Sequence, residues 1–294
     1  MLSGIVAIVG RPNVGKSSLL NALVGRKVSI VAPKPQTTRH RIQGVLHRPQ
    51  GQVVFVDTPG MHRKAPRALN RFMNDAAIGA LHDVDLALFV VEAGRWTDED
   101  EAVLEHLKQG RAPVGLVVNK IDRLEKKADL LPELQKLAAG HSYAFMVPLS
   151  AKSGDNLEGL VRELFSRMPE GPPLYPEGQV VSHDLSFTVA ELVREKLMRA
   201  LAQELPYSLT VETESLDHSG TILRTSAVIW VERDNQKKIV IGEDGVMLKR
   251  VGSAARRELE YMTGAKVVLK LWVKVKENWT DDPQALKRFG YRSD

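Results

Sequence analysis

Between Gly4 and about Met168 the chain alternates short apolar runs with amphipathic stretches. The apolar runs cover residues 5–9, 53–56, 86–91, 114–118 and 144–149. They are continuous rather than alternating, as in strands covered on both faces. The stretches between them read as helices, among them 16–24, 98–108 with Thr97 as N-cap, and 156–167. Strands and helices in strict alternation predict a mostly parallel sheet with helices on both faces.

The rhythm stops at Pro169-Glu170-Gly171-Pro172-Pro173-Leu174-Tyr175-Pro176-Glu177-Gly178, whose prolines and glycines suit a linker. Beyond it the order changes. A helix is expected over 188–205, ended by Pro206, then strands over 208–214 and 221–232. A helix–glycine turn–helix follows over 237–262, and a last strand over 266–276. The predicted architecture is an α/β domain over 1–168, a linker over 169–182 and a smaller α+β module over 183–294.

Composition narrows this picture only a little. The 294 residues include no cysteine, which excludes disulfides, thiolate nucleophiles, iron–sulfur clusters and zinc–cysteine sites. Any metal must be held by oxygen or imidazole. No apolar run approaches the roughly 18 residues that span a bilayer. The opening Met1-Leu2-Ser3-Gly4 lacks the basic start of a signal peptide, so a cytoplasmic location is expected. A net charge of +5 is a mild hint of an anionic partner and equally common among ordinary proteins.

The chemistry lies in the loops after the apolar runs. Gly10-Arg11-Pro12-Asn13-Val14-Gly15-Lys16-Ser17 fits G-x-x-x-x-G-K-[ST], follows a predicted strand and opens a predicted helix. In such a loop backbone amides converge on phosphate, Lys16 supplies a cation, and Ser17 offers a hydroxyl to Mg²⁺. Ser18 completes the expected contacts. Asn119-Lys120-Ile121-Asp122 closes another run, where an open sheet places ligand contacts. A carboxylate at Asp122 can accept from guanine N1–H and N2–H₂, and adenine offers neither, so the loop selects guanine. Asn119 can tie this loop to the phosphate loop, and the Lys120 stem can cover the ring. The backbone of Ser150-Ala151-Lys152 can donate to guanine O6.

Asp57-Thr58-Pro59-Gly60 closes the second run. Asp57 is the expected anchor for Mg²⁺, and the Gly60 amide can reach a γ-phosphate. Between these loops lies Pro35-Gln36-Thr37-Thr38-Arg39-His40, where a threonine can ligate Mg²⁺ only while the γ-phosphate is present. Thr38 is preferred, with Thr37 open. Met61 stands where Ras-like enzymes place a glutamine that orients water, so intrinsic hydrolysis should be slow.

The second module carries Ile239-Val240-Ile241-Gly242-Glu243-Asp244-Gly245-Val246-Met247-Leu248-Lys249. Two helices joined by G-x-x-G form the nucleic-acid clamp of KH domains, and the predicted element order matches the type II arrangement. From residue 171 to 294 there are 18 basic and 18 acidic residues, so charge alone does not argue for RNA. Glu243 and Asp244 inside the turn count against tight phosphate contact there. The expected RNA contacts are Lys237, Lys238, Ile241, Gly242, Gly245, Lys249 and Arg250, with Arg256 and Arg257 nearby. Over 266–276, lysines alternate with aliphatics, placing Lys266, Lys270, Lys274 and Lys276 on one strand face. That pattern serves RNA contact or simple edge protection, and both stay open.

Together these motifs resemble the Era family of bacterial GTPases along nearly the whole chain. The matching residues include the phosphate loop, Gln36-Thr37-Thr38-Arg39-His40, Asp57-Thr58-Pro59-Gly60, Asn119-Lys120-Ile121-Asp122 and Ser150-Ala151-Lys152. Arg194-Glu195-Lys196-Leu197-Met198, Glu204-Leu205-Pro206-Tyr207 and Leu271-Trp272-Val273-Lys274-Val275-Lys276 extend the match. The resemblance implies GTP hydrolysis to GDP with Mg²⁺, served by Lys16, Thr38, Gly60 and Asn13. It also implies binding of the 3′ end of 16S rRNA, a role in 30S subunit assembly, no DNA partner, a monomer and peripheral association with the inner membrane. Asn13 sits where potassium-activated relatives carry an asparagine, so K⁺ joins another group of the chain and a partner as the candidates for completing the hydrolytic site. The alternatives are a GTPase of tRNA modification, an RNA-binding module with incidental GTP turnover, and an ATP-dependent kinase.

Overall fold

The computed structural model describes residues 1–61, 67–126, 128, 130–181 and 183–291. Ser182, the end of the expected linker, and residues 292–294 of the second module lie outside the described residues. The chain forms two compact units. The first holds Met1–Val31, Thr38–Pro66 and Asn70–Ser182, and the second holds His183–Asp294 with the short segments Ala32–Thr37 and Arg67–Leu69.

The first unit is built on β1 (Leu2–Val9), β2 (Ile42–Arg48), β3 (Gly51–Asp57), β4 (Leu86–Glu92), β5 (Val114–Asn119) and β6 (Phe145–Pro148). Their order in the sheet is β2-β3-β1-β4-β5-β6. All neighbours are parallel except β2 and β3. β1, β3, β4 and β5 lie inside the sheet, which explains their unbroken apolar runs: Val6, Phe55, Leu88 and Val117 are fully covered. Strand β2 has no such run. Gln43, His47 and Arg48 interrupt it at the edge, and the hydrophobic pattern does not reveal it.

Helix α1 (Lys16–Val24) buries Leu19, Leu20 and Leu23, the spacing of one helical stripe. Helices α2 (Ala68–Gly79), α3 (Asp98–Gln109), α4 (Leu130–Gly140) and α5 (Leu157–Phe165) follow in chain order. Thr97 starts α3 as expected: its amide and hydroxyl both donate to Asp100 Oδ2, at 2.9 and 2.8 Å.

The expected linker is no loose tether. Residues 169–181 are laid along the first unit. The Ser3 amide donates to Pro169 O (2.9 Å) and the Val45 amide to Val180 O (2.9 Å). Gln52, buried in β3, donates to Tyr175 O and accepts from the Leu174 and Tyr175 amides. A polar side chain inside an apolar strand thus finds its partners in the proline-rich segment.

In the second unit, α6 (Leu185–Ala200) precedes β7 (Leu209–Ser219) and β8 (Ile222–Val231). Then come α7 (Asp234–Ile241), α8 (Val246–Thr263), β9 (Lys266–Val275) and α9 (Pro283–Arg288). The sheet order is β7-β8-β9, antiparallel then parallel. Its core joins Val193 and Leu197 of α6, Ala227 and Ile229 of β8, Val251 and Ala255 of α8, and Val273 of β9. The element order is the one expected. The predicted first helix, however, stops at Ala200, and only a short 3₁₀ turn covers Leu205–Tyr207. The C-terminal segment adds a packing layer with no local sequence signal. Trp279 is buried and donates to Ser208 O (3.0 Å), and Tyr291 meets Thr210 (3.0 Å between hydroxyls).

Candidate functional site

The phosphate loop runs from the C-terminal end of β1 to the start of α1. Gly15 has φ +103°, and a Cβ there would lie 2.4 Å from Asn119 Nδ2, so both backbone and space demand glycine. At Gly60 contact alone excludes a side chain, since a Cβ would meet Pro12 at 2.8 Å. The loop's position is set from the loop after β5: Asn119 Nδ2 donates to Val14 O (2.9 Å). Its Oδ1 accepts from the amides of Lys120 (2.8 Å) and Ala151 (3.0 Å). One side chain therefore joins the three loops that follow β1, β5 and β6.

Lys16 is buried, and its ammonium donates to the carbonyls of Gly10 (2.9 Å) and Arg11 (3.0 Å). Burial lowers its pKa to about 8, against the opposing pull of Asp57. Lys120 takes the left-handed backbone (φ +66°), and its Nζ donates to Asn13 O (2.6 Å) and pairs with Glu92 (3.0 Å). Asn13, itself left-handed at φ +63°, is exposed. Asp122 is exposed too, and its Oδ1 accepts from the Ser150 hydroxyl (2.6 Å). Ser18 and Lys152 lie at the starts of α1 and of the turn before α5, part-exposed and exposed respectively.

Arg11 turns its side chain away from the loop. Its guanidinium is buried away in an ion pair with Asp100 (2.9 Å) and reaches Glu92 (3.4 Å). What it presents to the loop is main chain. Glu92 also pairs with Arg123 (3.2 Å). Burial would raise the Glu92 carboxyl, but Lys120 and Arg11 together hold it below the usual carboxylate range. Neither Glu92 nor Asp100 could be found by motif, because an Arg–carboxylate pair separated by 89 residues has no sequence spacing to match.

Ser17, Thr38 and Asp57 converge. Ser17 Oγ lies 2.8 Å from Thr38 Oγ1 and donates to Asp57 Oδ2 at 2.7 Å. Thr38 reaches the same oxygen at 3.5 Å. Thr37 points elsewhere, its hydroxyl donating to Lys34 O (2.7 Å), so Thr38 is the threonine beside the phosphate loop. Burial raises the Asp57 pKa, opposed by Lys16 and by the hydroxyl donors. Asp57 Oδ1 is buried without a hydrogen-bond partner among the described residues. A carboxylate with one orphan oxygen beside two hydroxyls is an all-oxygen donor set that suits Mg²⁺. Met61 is buried in the apolar cluster with Ala7, Ala87 and Phe89, and brings no polar atom to this place.

On the second unit, α7 and α8 are joined by the Gly242–Gly245 turn, with φ +77° and +75° at the two glycines. A Cβ on Gly242 would lie 2.8 Å from that of Met247. Lys238, Lys249 and Arg250 are exposed around the turn, Lys237 and Ile241 half-buried. Strand β9 is an edge strand whose odd–even pattern exposes Lys266, Lys270, Trp272 and Lys274 and turns Val267 and Val273 inward. Lys274 and Lys276 already pair with Glu214 (3.3 Å) and Asp282 (3.5 Å).

Residues 5–120 match the family described as "50S ribosome-binding GTPase", and residues 204–280 match the KH domain. A protein of Stenotrophomonas maltophilia named GTPase Era is 53% identical over 288 residues, covering 98% of this chain and 97% of the relative. The chain belongs to the Era family of GTPases. The Era-family protein of Xanthomonas oryzae pv. oryzae is 52% identical over 289 residues, with the same coverage of 98% and 97%. Among solved structures, a point variant of Aquifex aeolicus Era bound to GDP·AlF₄⁻ superposes with a TM-score of 0.96 at 39% identity, covering 99% of both chains. An Era complex with MgGDPNP and nucleotides 1506–1542 of 16S ribosomal RNA gives the same values of 0.96, 39% and 99%. A P-loop GTPase domain with a mostly parallel sheet and a C-terminal KH domain is thus the architecture of this Era-family chain.

Proposed function

We propose that this chain is a GTP-switched factor that binds the 3′ end of 16S rRNA through its KH domain and acts in maturation of the 30S subunit. The observation that carries the switch is the convergence of Ser17, Thr38 and Asp57 beside the phosphate loop. In this reading the loop amides of Gly10 to Ser18 and the Lys16 ammonium hold the β- and γ-phosphates. Lys16 leaves its two loop carbonyls for phosphate oxygens, and Gly60 donates its amide to the γ-phosphate. Ser17, Thr38 and Asp57 hold Mg²⁺, which neutralises charge on the β- and γ-phosphates when bound. Asp122 reads guanine. The base would cover this exposed carboxylate, whose rotation Ser150 fixes.

Coupling to the RNA module follows from the residues just before Thr38. Segment Ala32–Thr37 belongs to the second unit. Arg194 of α6, paired with Glu191, donates to the carbonyls of Gln36 (3.4 Å) and Thr37. Lys34 Nζ donates to Met198 O (2.5 Å) near the end of the same helix. When the γ-phosphate and its metal take hold of Thr38, the change passes to a segment held by the KH module's first helix, and the populations of that module shift. A tenfold shift needs only about 1.4 kcal/mol of differential affinity.

The test is the affinity of the intact protein for the 3′-terminal 16S segment with a non-hydrolysable GTP analogue, with GDP and without nucleotide. Equal affinity in all three makes GTP turnover incidental and ends the switch reading. Sedimentation with isolated 30S and 50S subunits separates the small-subunit partner from the large-subunit one named by the matching GTPase family. A tRNA-modifying enzyme is disfavoured because the chain has no cysteine for covalent chemistry on a base. Two further parts of the reading have their own measurements. If Asn13 helps to hold K⁺, turnover in KCl exceeds that in NaCl. Peripheral attachment predicts binding to vesicles of inner-membrane lipids without insertion; among the described residues no helix is long and apolar enough to cross a membrane. A cytoplasmic monomer completes the proposal.

A further inference from the structure

We infer that Ser29, clamped by Asn21, is the positioning residue that holds the Asp57 carboxylate in place for Mg²⁺. This rests on the metal reading above and goes one layer deeper. Asp57 Oδ2 is approached by three hydroxyls: Ser17 at 2.7 Å, Ser29 at 3.0 Å and Thr38 at 3.5 Å. Two of these are the groups proposed to face the metal, and Thr38 is expected to move with the γ-phosphate. Ser29 has no such second task, and it is 1% exposed.

Its place is fixed from α1. Asn21 Oδ1 accepts from the amides of Val28 (2.7 Å) and Ser29 (2.9 Å), and Asn21 Nδ2 donates to Ser29 O (2.7 Å). Three bonds from one side chain leave the Ser29 backbone little freedom. The same helix carries Lys16 and Ser17. Ser29 therefore ties the end of β3 to the helix that carries the phosphate-binding residues, whatever the nucleotide state of Thr38. A donor fixed on one carboxylate oxygen also sets the rotation of the group, and with it the direction of the orphan Oδ1. Partners of this outer kind commonly contribute 10- to 100-fold to metal affinity.

The experiment follows release of a fluorescent GDP from the intact protein across Mg²⁺ concentrations and in EDTA. For Ser29→Ala the Mg²⁺ concentration that half-slows release rises about tenfold, while release in EDTA stays at the wild-type rate. Ser29→Thr, which keeps the hydroxyl, stays near wild type, and Asn21→Ala shifts the Mg²⁺ requirement in the same direction as Ser29→Ala. An unchanged Mg²⁺ requirement in Ser29→Ala overturns the inference. So does an equal loss of GDP in EDTA and in Mg²⁺, which marks Ser29 as part of the fold and nothing more. Asp57→Asn separates the layers. If its Mg²⁺ response is unaltered, the metal reading itself is wrong; if it is lost while Ser29→Ala is silent, only the role of Ser29 falls.

Discussion

In the first unit, the residues expected at the nucleotide are already bonded to one another. Asn119 joins three loops, Lys16 rests on two carbonyls of its own loop, and Asp57 gathers hydroxyls from two other segments and α1. In the second unit, the residues expected at RNA around the glycine turn lie out on the surface, and Lys274 and Lys276 of β9 pair with Glu214 and Asp282. Lys238, Lys249 and Arg250 are exposed around two glycines, and the apolar Ile239 and Val246 beside them are 55% and 65% exposed. The difference matches the ligands. A triphosphate is small and must be oriented for chemistry, so its groups are held within fractions of an ångström before it arrives. A nucleic-acid strand is long and is held by many separate contacts, each of modest strength. Single substitutions should therefore cost much in the first unit and little in the second.

The largest loss belongs to Lys16→Ala. Removing the buried cation proposed to hold the phosphates should lower single-turnover GTP hydrolysis by about 10²- to 10³-fold. Affinity for RNA without nucleotide should be untouched. A loss below tenfold would mean that the loop amides alone carry the charge, and the contrast between the units would shrink.

Asp122→Asn comes next. In the proposed reading the carboxylate accepts two hydrogen bonds from guanine, and charged acceptors are worth about 1.5–3 kcal/mol each, so GTP affinity should fall by roughly 100-fold or more. The amide can instead donate to the C2 oxygen of xanthine, so the variant should gain xanthosine triphosphate. An unchanged preference in competition binding would refute the base-reading role.

How far this contrast could be read from sequence depends on the same physics. The phosphate loop, Asp57 and Asn119 to Asp122 were legible because each chemistry is local: a few residues at fixed spacing after a buried strand. Their supports were not. Ser29, Asn21, Glu92 and Asp100 act across 7 to 89 residues of chain, and no local pattern records such pairs. Arg11 shows the limit clearly, since it lies inside the motif yet turns its side chain to Asp100. In the fold, strands covered on both faces announced themselves, while β2 at the sheet edge, with Gln43 and His47 inside it, did not. Gln52 reads as a polar flaw in β3 and is the anchor of the proline-rich segment. The KH module was readable from its turn because left-handed glycines at Gly242 and Gly245 are a local demand.

A third expectation uses pH to probe the buried cation. Lys16 sits at about 8 in the ligand-free protein against 10.5 in an open chain. Between those values the unfolded chain keeps the proton and the folded one releases it. Stability of the ligand-free protein from this group therefore rises as pH climbs from about 8 towards 10.5. Phosphate charge draws the proton back. Binding of GDP above about pH 8 should take up as much as roughly one proton, and affinity should fall by up to about tenfold per pH unit. Calorimetry in buffers of different ionisation enthalpy measures that uptake. Absence of uptake at about pH 9 would place Lys16 in an ordinary solvated setting.

The smallest expected effects lie around the glycine turn, and they test the second half of the comparison. Lys238→Ala and Lys249→Ala each remove one exposed cation outside the buried core and should leave GTP hydrolysis unchanged. Each should weaken binding to the 16S segment only a few-fold at moderate salt. The more telling quantity is the salt dependence. If each lysine meets one phosphate of a single strand, the slope of log affinity against log salt should flatten by about 0.7 per substitution, and the two should add. The same substitution at Lys274, which is paired with Glu214, should change the slope less, because its charge is already partly met. A large loss from one lysine alone would mean that the RNA surface is as tightly focused as the nucleotide site. Equal slopes for Lys238 and Lys274 would instead move the contact out over strand β9, favouring its lysines as RNA ligands over edge protection.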